Sequence, residues 1–255
     1  MLSPVVILAI GFVLGMRHAT DPDHVIAVST IVTREHRVGR SALIGVAWGI
    51  GHTVTIFVVG TVLILFHVVI PPRVGLLMEL AVGVMLILLG IYSLCAAFRS
   101  STEHGHYHRH GDYVHAHASS AHDHAHDPAA TPLGRLDRFF HRFTFYGTLR
   151  PLLIGIVHGL AGSAAVALLV LGTISNPAWG LLFLLIFGLG TVLGMTLITL
   201  AMASTFSYTQ RRWTSIGRRF ALAAGVISLV FGMVVTWQIV YGAGLFSGHP
   251  VWIAR

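Results

Sequence analysis

The chain has 255 residues, 55% of them hydrophobic and only 10% charged, with a mean hydropathy of +0.80. A soluble domain carries about a quarter charged residues, so this composition excludes an ordinary soluble enzyme and points to an all-α, polytopic membrane protein. The formal charge of +7 comes from sixteen arginines and no lysine; they fall in short clusters between apolar segments, which excludes a nucleic-acid footprint and reads as topology signalling. A single cysteine, Cys95, lies within an apolar run. It excludes disulfides and thiolate clusters and reads as a small core residue.

A window of about twenty residues, the length a helix needs to cross hydrocarbon, finds six candidate spans, at 4–31, 41–66, 74–98, 150–174, 177–206 and 217–243. The N-terminus lacks a basic leading region and an AxA-like cleavage site, so it reads as a retained helix. The first span is too long for one straight crossing and contains Pro22, which removes a backbone donor and would free the His18 carbonyl. A helix broken at the HATDPDH motif is expected there, and such a break survives at membrane depth only inside protein or beside a polar cavity.

That break carries Arg17, His18, Asp21, Asp23 and His24. On an unbroken helix His18, Asp21 and His24 share a sector about 120° wide, with Asp23 pointing away. Each ionisable group in a membrane helix costs about 2.5–3.5 kcal/mol, so five together call for a function. Imidazole and carboxylate suit a borderline divalent cation such as nickel, cobalt, zinc or copper, with Arg17 as counter-ion to an aspartate. The bland alternative is a helix-end salt-bridge network. Further along, His52 is flanked by glycines that permit close helix approach, and Glu79 lies near the end of the third span.

Residues 103–127 hold nine histidines, His104, His106, His108, His110, His115, His117, His122, His124 and His126. The stretch is too poor in apolar residues to bury a core and reads as a disordered metal-buffering loop. The basic, aromatic LDRFFHRFTFYGTLR after it reads as an interfacial amphipathic segment. His158 opens a small-residue run, whereas His36, His67, His141 and His249 sit at ends or in loops and read as solvated.

Arg34, Arg37 and Arg40, the six arginines from Arg99 to Arg150, and Arg211, Arg212, Arg218 and Arg219 fall on one side, against Arg73 and Arg255 on the other. The positive-inside rule then places both termini outside and the His-rich loop in the cytoplasm. GMRHATD at 15 aligns with GIVHGLA at 155, WGIGHTV at 48 with FGLGTVL at 187, and AVGVMLILLG at 81 with AAGVISLVFG at 223. Matches in order at nearly one offset suggest a duplicated three-helix unit, residues 1–98 and 150–255, joined by 99–149. Three helices per unit make the second copy inverted, which is a transporter signature.

RHATDPDHV resembles the first signature of the nickel/cobalt permease family, with His18, Asp23 and His24 at the matching positions and Asp21 in addition; GHTVTIF resembles its second, which carries over His52. The resemblance implies a carrier of Ni2+ or Co2+ in the cytoplasmic membrane, the ion being cargo with no prosthetic group. Typical members have eight helices and an acidic DTATE-like signature in the second half. Six spans and VHGLAGSAA in its place make this chain similar to the shorter, urease-accessory-like branch.

The expected function is uptake by alternating access, with His18, Asp21 or Asp23, His24, His52 and His158 meeting the ion and the freed His18 carbonyl as a further ligand. Because imidazoles bind metal when neutral, transport should weaken below about pH 6.5. The same site could serve efflux, or the chain could be a non-transporting metallochaperone or sensor delivering metal to a nickel enzyme or its maturation proteins. An intramembrane hydrolase fits less well. HExxH is absent, and Ser163 lies five residues from His158, on another part of the helix face.

Overall fold

The computed structural model describes residues 4–33, 38–66, 70–99, 105–110, 113–118, 146–160, 174, 176–212 and 214–252. Its helices are α1 (Pro4–His18), α2 (Pro22–Val32), α3 (Val38–Phe66), α4 (Pro72–Arg99), α5 (Tyr146–Gly159), α6 (Pro177–Arg212) and α7 (Thr214–Trp237), the last continuing as a π-helical turn, Gln238–Gly242. Four of them open on proline, which needs no N–H at the first helical position and arrives with its φ already helical.

The first span is broken, as its sequence requires. Proline forces the residue before it out of the helical region, and Asp21 is extended at φ −60° and ψ 145°. Pro22 is therefore the start of α2 and not a kink inside one helix, and α1 and α2 meet at 52°. The expected free carbonyl is not found, because the Asp21 N–H donates to His18 O at 3.1 Å.

With the bent pair taken as one span, five segments are long and apolar enough to cross a membrane; α3, α4, α6 and α7 are the other four. Their outward faces are lined with large apolar side chains at helical spacing, such as Val54, Val58 and Val62 on α3 and Leu182, Leu185, Leu189 and Leu193 on α6. So wide an apolar exterior needs lipid around it. The protein is a multi-pass membrane protein. Of the fourth candidate span, α5, Leu160 and Ile174 are described; the rest, including Ser163, lies outside the described residues.

Inside, α3 packs on α6, α4 on α7, α1 on α6 and α5 on α3. These approaches are close enough to need glycine. A Cβ on Gly15 would overlap the carbonyl oxygen of Phe187, and one on Gly155 that of Trp48; one on Gly190 would overlap that of Phe12, and one on Gly51 that of Leu152. The main apolar core, around Ala27, Val28, Trp48, Leu86 and Met195, lies between α2, α3, α4 and α6.

Two further expectations change. Cys95 is exposed on the outer face of α4 and is not a core residue. The His-rich segment was expected to lack regular structure, yet Gly105–His110 (β1) and Tyr113–Ala118 (β2) pair as an antiparallel hairpin, with His106 opposite His117 and His108 opposite His115. Backbone pairing needs no apolar core to be satisfied locally. His104, His122, His124 and His126, with most of the amphipathic stretch and with His36, His67 and His141, lie outside the described residues. His249 is exposed, as a solvated residue should be.

Gly155→Ala should lower the thermal unfolding midpoint in detergent by several degrees, from about 1–3 kcal/mol of overpacking against backbone that cannot rotate away. Gly39→Ala, where a Cβ meets nothing within 4 Å, should leave the midpoint unchanged or slightly raised. Equal midpoints for the two variants would overturn this account of the packing.

Candidate metal centre

The break between α1 and α2 turns two ends of chain toward one point. His18 closes α1, Asp21 lies in the break, and Asp23 and His24 form the first turn of α2. His52 is the central residue of α3, about 21 Å from either end at 1.5 Å per residue. His158 comes from the last turn of α5. Exposure is 7% for His18, 1% for His24 and nil for His52 and His158.

Six of the side chains marked by the sequence are brought together. His18 Nδ1 lies 2.7 Å from Asp21 Oδ2, and His18 Nε2 lies 3.0 Å from His52 Nε2. The two oxygens of Asp23 are divided: Oδ1 is 3.1 Å from His24 Nδ1 and Oδ2 is 3.0 Å from His158 Nε2. The expectation that Asp23 points away is therefore wrong. That geometry assumed an unbroken helix, and after the break residue 23 starts a new axis. Asp21 instead takes the outer position, half exposed behind His18.

The donor inventory follows from the carboxylates. An ionised carboxylate only accepts, so His18 Nδ1, His24 Nδ1 and His158 Nε2 each carry the proton they donate. His18 Nε2 is then bare and accepts from His52 Nε2–H, which leaves His52 Nδ1 bare. Among the described residues His24 Nε2, His52 Nδ1 and His158 Nδ1 are buried and have no hydrogen-bond partner, and by this assignment each is an exposed lone pair. Such nitrogens are costly to bury alone. They are also what a borderline divalent cation binds, and a carboxylate behind the imidazole is the usual means of fixing a ligand tautomer. Two sets of ligand atoms lie within 4.8 Å of one another: His18, His24 and His52, and Asp23, His24 and His158. With the imidazoles neutral, Asp21 and Asp23 supply two negative charges, the complement of one divalent ion.

Other marked residues stand apart. Arg17 is exposed and, among the described residues, pairs with neither aspartate. Glu79 accepts a hydrogen bond from Trp252 Nε1 at 2.9 Å and lines a separate cavity of about 360 Å³ with Gln238 and Trp252. Pro22 contributes through the backbone alone.

Compared with known proteins, the chain is 38% identical over 249 residues to the urease accessory protein UreH of Bacillus sp. (strain TB-90), a match that covers 97% of this chain and 96% of that one. The chain belongs to the UreH family. No family model and no solved structure matches it. The full-length match includes both the broken first span and the second-half segment that carries His158, so the relative spans every part of the site.

Two walls of the site were not apparent as functional positions. Trp48 is fully buried, stacked at 12° on the His24 ring with centroids 6.0 Å apart, and edge-on to His158 at 5.5 Å. Phe187 stacks on His18 at 5.8 Å. They occupy the same place in WGIGHTV and FGLGTVL, and that correspondence is the signal that could have found them.

In metal-free buffer Asp23→Ala should cost more stability than Asp21→Ala. It strands two buried ring N–H groups at about 1–3 kcal/mol each, whereas Asp21 serves one ring from a half-exposed position. Thermal unfolding with chelator present measures the difference, and a larger loss for Asp21→Ala would refute the donor assignment.

Proposed function

We propose that the chain carries Ni2+ or Co2+ across the cytoplasmic membrane by alternating access, in the direction of uptake. The observation that carries this reading is a set of four buried imidazoles with the partly exposed Asp23 around the middle of α3, three of the ring nitrogens being unpartnered. A polar cluster of this kind inside an apolar bundle has a large desolvation cost and no packing role that apolar side chains would not fill better. The ligand set suits borderline divalent ions and excludes hard cations such as Ca2+, which take oxygen.

The packing supports two inverted three-helix copies meeting at the site. Gly15 against Phe187 is repeated as Gly155 against Trp48, and Gly190 against Phe12 as Gly51 against Leu152. Farther out, Gly90 against Leu229 is repeated as Gly232 against Ile87. Under offsets of 139 to 142 each contact becomes its partner with the halves exchanged, which is what a two-fold in the membrane plane produces. Arg40, Arg99, Arg150 and Arg219 fall at one end of their helices and Arg73 at the other, which supports both termini outside and the His-rich segment in the cytoplasm.

The relative is named an accessory of urease, a nickel enzyme, and this favours uptake that feeds such an enzyme or its maturation proteins. The His-rich segment would then hold incoming ions on the inner side. In this reading no bond is made or broken in the cargo, so the protein is a carrier and not an enzyme.

A time course of radiolabelled Ni2+ in cells expressing the wild type, His18→Ala or neither tests the proposal, with excess cobalt and zinc as competitors. Wild type should accumulate label above the control and His18→Ala should fall to the control level. Label below the control would reverse the direction to efflux. Coincident curves would refute carriage of nickel and leave a membrane metallochaperone or sensor.

A further inference from the structure

We infer that the cluster is two metal stations sharing one imidazole, between which a single ion is passed, and that His158 ties that passage to the relative position of the two halves. This deepens the carrier reading and rests on it. The six side chains do not converge on one point. His24 lies between the others, its ring centroid 4.6 Å from that of His18, 5.0 Å from His52 and 4.2 Å from His158. His52 and His158 are 5.9 Å apart. Ligand atoms come within 4.8 Å of one another in two separate groups, and the residue common to both is His24.

Sharing has a consequence. His24 Nδ1 faces Asp23 and its Nε2 has no partner; a neutral imidazole carries one ring proton, so only one of these nitrogens is bare at a time, Nδ1 on the side of Asp23 or Nε2 on the other. One ion at a time can use it. Filling the station of His18, His24 and His52 therefore removes a ligand from the station of Asp23, His24 and His158.

The stations also differ in what holds them. The first draws all its ligands from α1, α2 and α3. The second joins α2 to α5 through the 3.0 Å contact of Asp23 with His158, so withdrawal of α5 dismantles it and leaves the first complete. An ion in the second station holds the two halves together; when they part, the remaining ligands are those of the first. His158 is in this sense a positioning residue for the exchange as well as a ligand. Glutamine at 158 keeps an N–H toward Asp23 and removes the ring nitrogen, so it tests ligation apart from the hydrogen bond.

The test is calorimetric titration in detergent with NiCl2 alone, together with Co2+ absorption spectra and Ni2+ uptake, on the full chain with the nine histidines of residues 103–127 changed to serine so that the His-rich segment takes no ion; this parent serves as the wild type for His24→Ala, His52→Gln and His158→Gln made in it. The wild type should bind one equivalent and His24→Ala none. His52→Gln and His158→Gln should each keep one equivalent, and the variant that retains the stronger station should stay within about twofold of the wild-type affinity while the other falls below it, with different Co2+ spectra because one retained station includes a carboxylate. His158→Gln should bind ion yet take up label only at the control level. Two equivalents in the wild type, loss of all binding in His158→Gln while its gel-filtration profile stays that of the wild type, or wild-type uptake by that variant would each overturn the inference. If His158→Gln fails that profile, His158→Asn is read by the same criteria. No binding by the wild type would instead refute the carrier reading itself.

Discussion

The Asp21–Pro22 break is the constraint on which the site depends. On a continuous helix, residues six apart are separated by about 9 Å along the axis and point roughly 120° apart, so His18 and His24 could not serve one ion. The break folds the chain back by 52° and brings their rings to 4.6 Å. It also frees Asp23 from the face an unbroken helix would assign it, so that its carboxylate reaches His158 on another helix. Proline at position 22 does this by excluding the helical conformation from Asp21, a local effect with consequences across the bundle.

Much of the architecture was legible because membrane spans obey a length rule and an apolarity rule. The windows around α3, α4, α6 and α7 follow from those rules, and Pro22 fixed the place of the break. The direction of Asp23 was not legible, since a helical wheel holds only along one axis and the motif straddles two. Cys95 went astray for a related reason: inside a bilayer, apolar surroundings in sequence do not separate the core from the lipid face. His158 was visible only through its alignment with His18, a weak signal until the structure set it against Asp23. Trp48 and Phe187 were hidden by their chemistry, because an aromatic beside glycines in a membrane helix is most often packing.

The arrangement of charge explains how such a site can sit in an apolar bundle at all. The carboxylates accept from ring N–H groups while other ring nitrogens keep their lone pairs, so donors and charge are matched within the cluster and soft nitrogen lies beside the Asp23 carboxylate. Aromatic rings flank it on two sides, Trp48 against His24 and Phe187 against His18. They limit the freedom of the imidazoles to rotate out of place, which lowers the ordering cost when a ligand arrives.

The glycine contacts bear on how the helices are held in register. Where Gly15 meets the carbonyl of Phe187 and Gly155 that of Trp48, backbone rests on backbone, with no side-chain knobs engaged in holes. Sliding by one residue would set the Cβ of Leu14 or Met16, or of Ile154 or Ile156, against the same carbonyl, so each such contact fixes the height at which two helices meet. The glycines beside the candidate metal centre are therefore register marks, and the larger side chains interlocked around Leu86 and Met195 fill the core whose register they set.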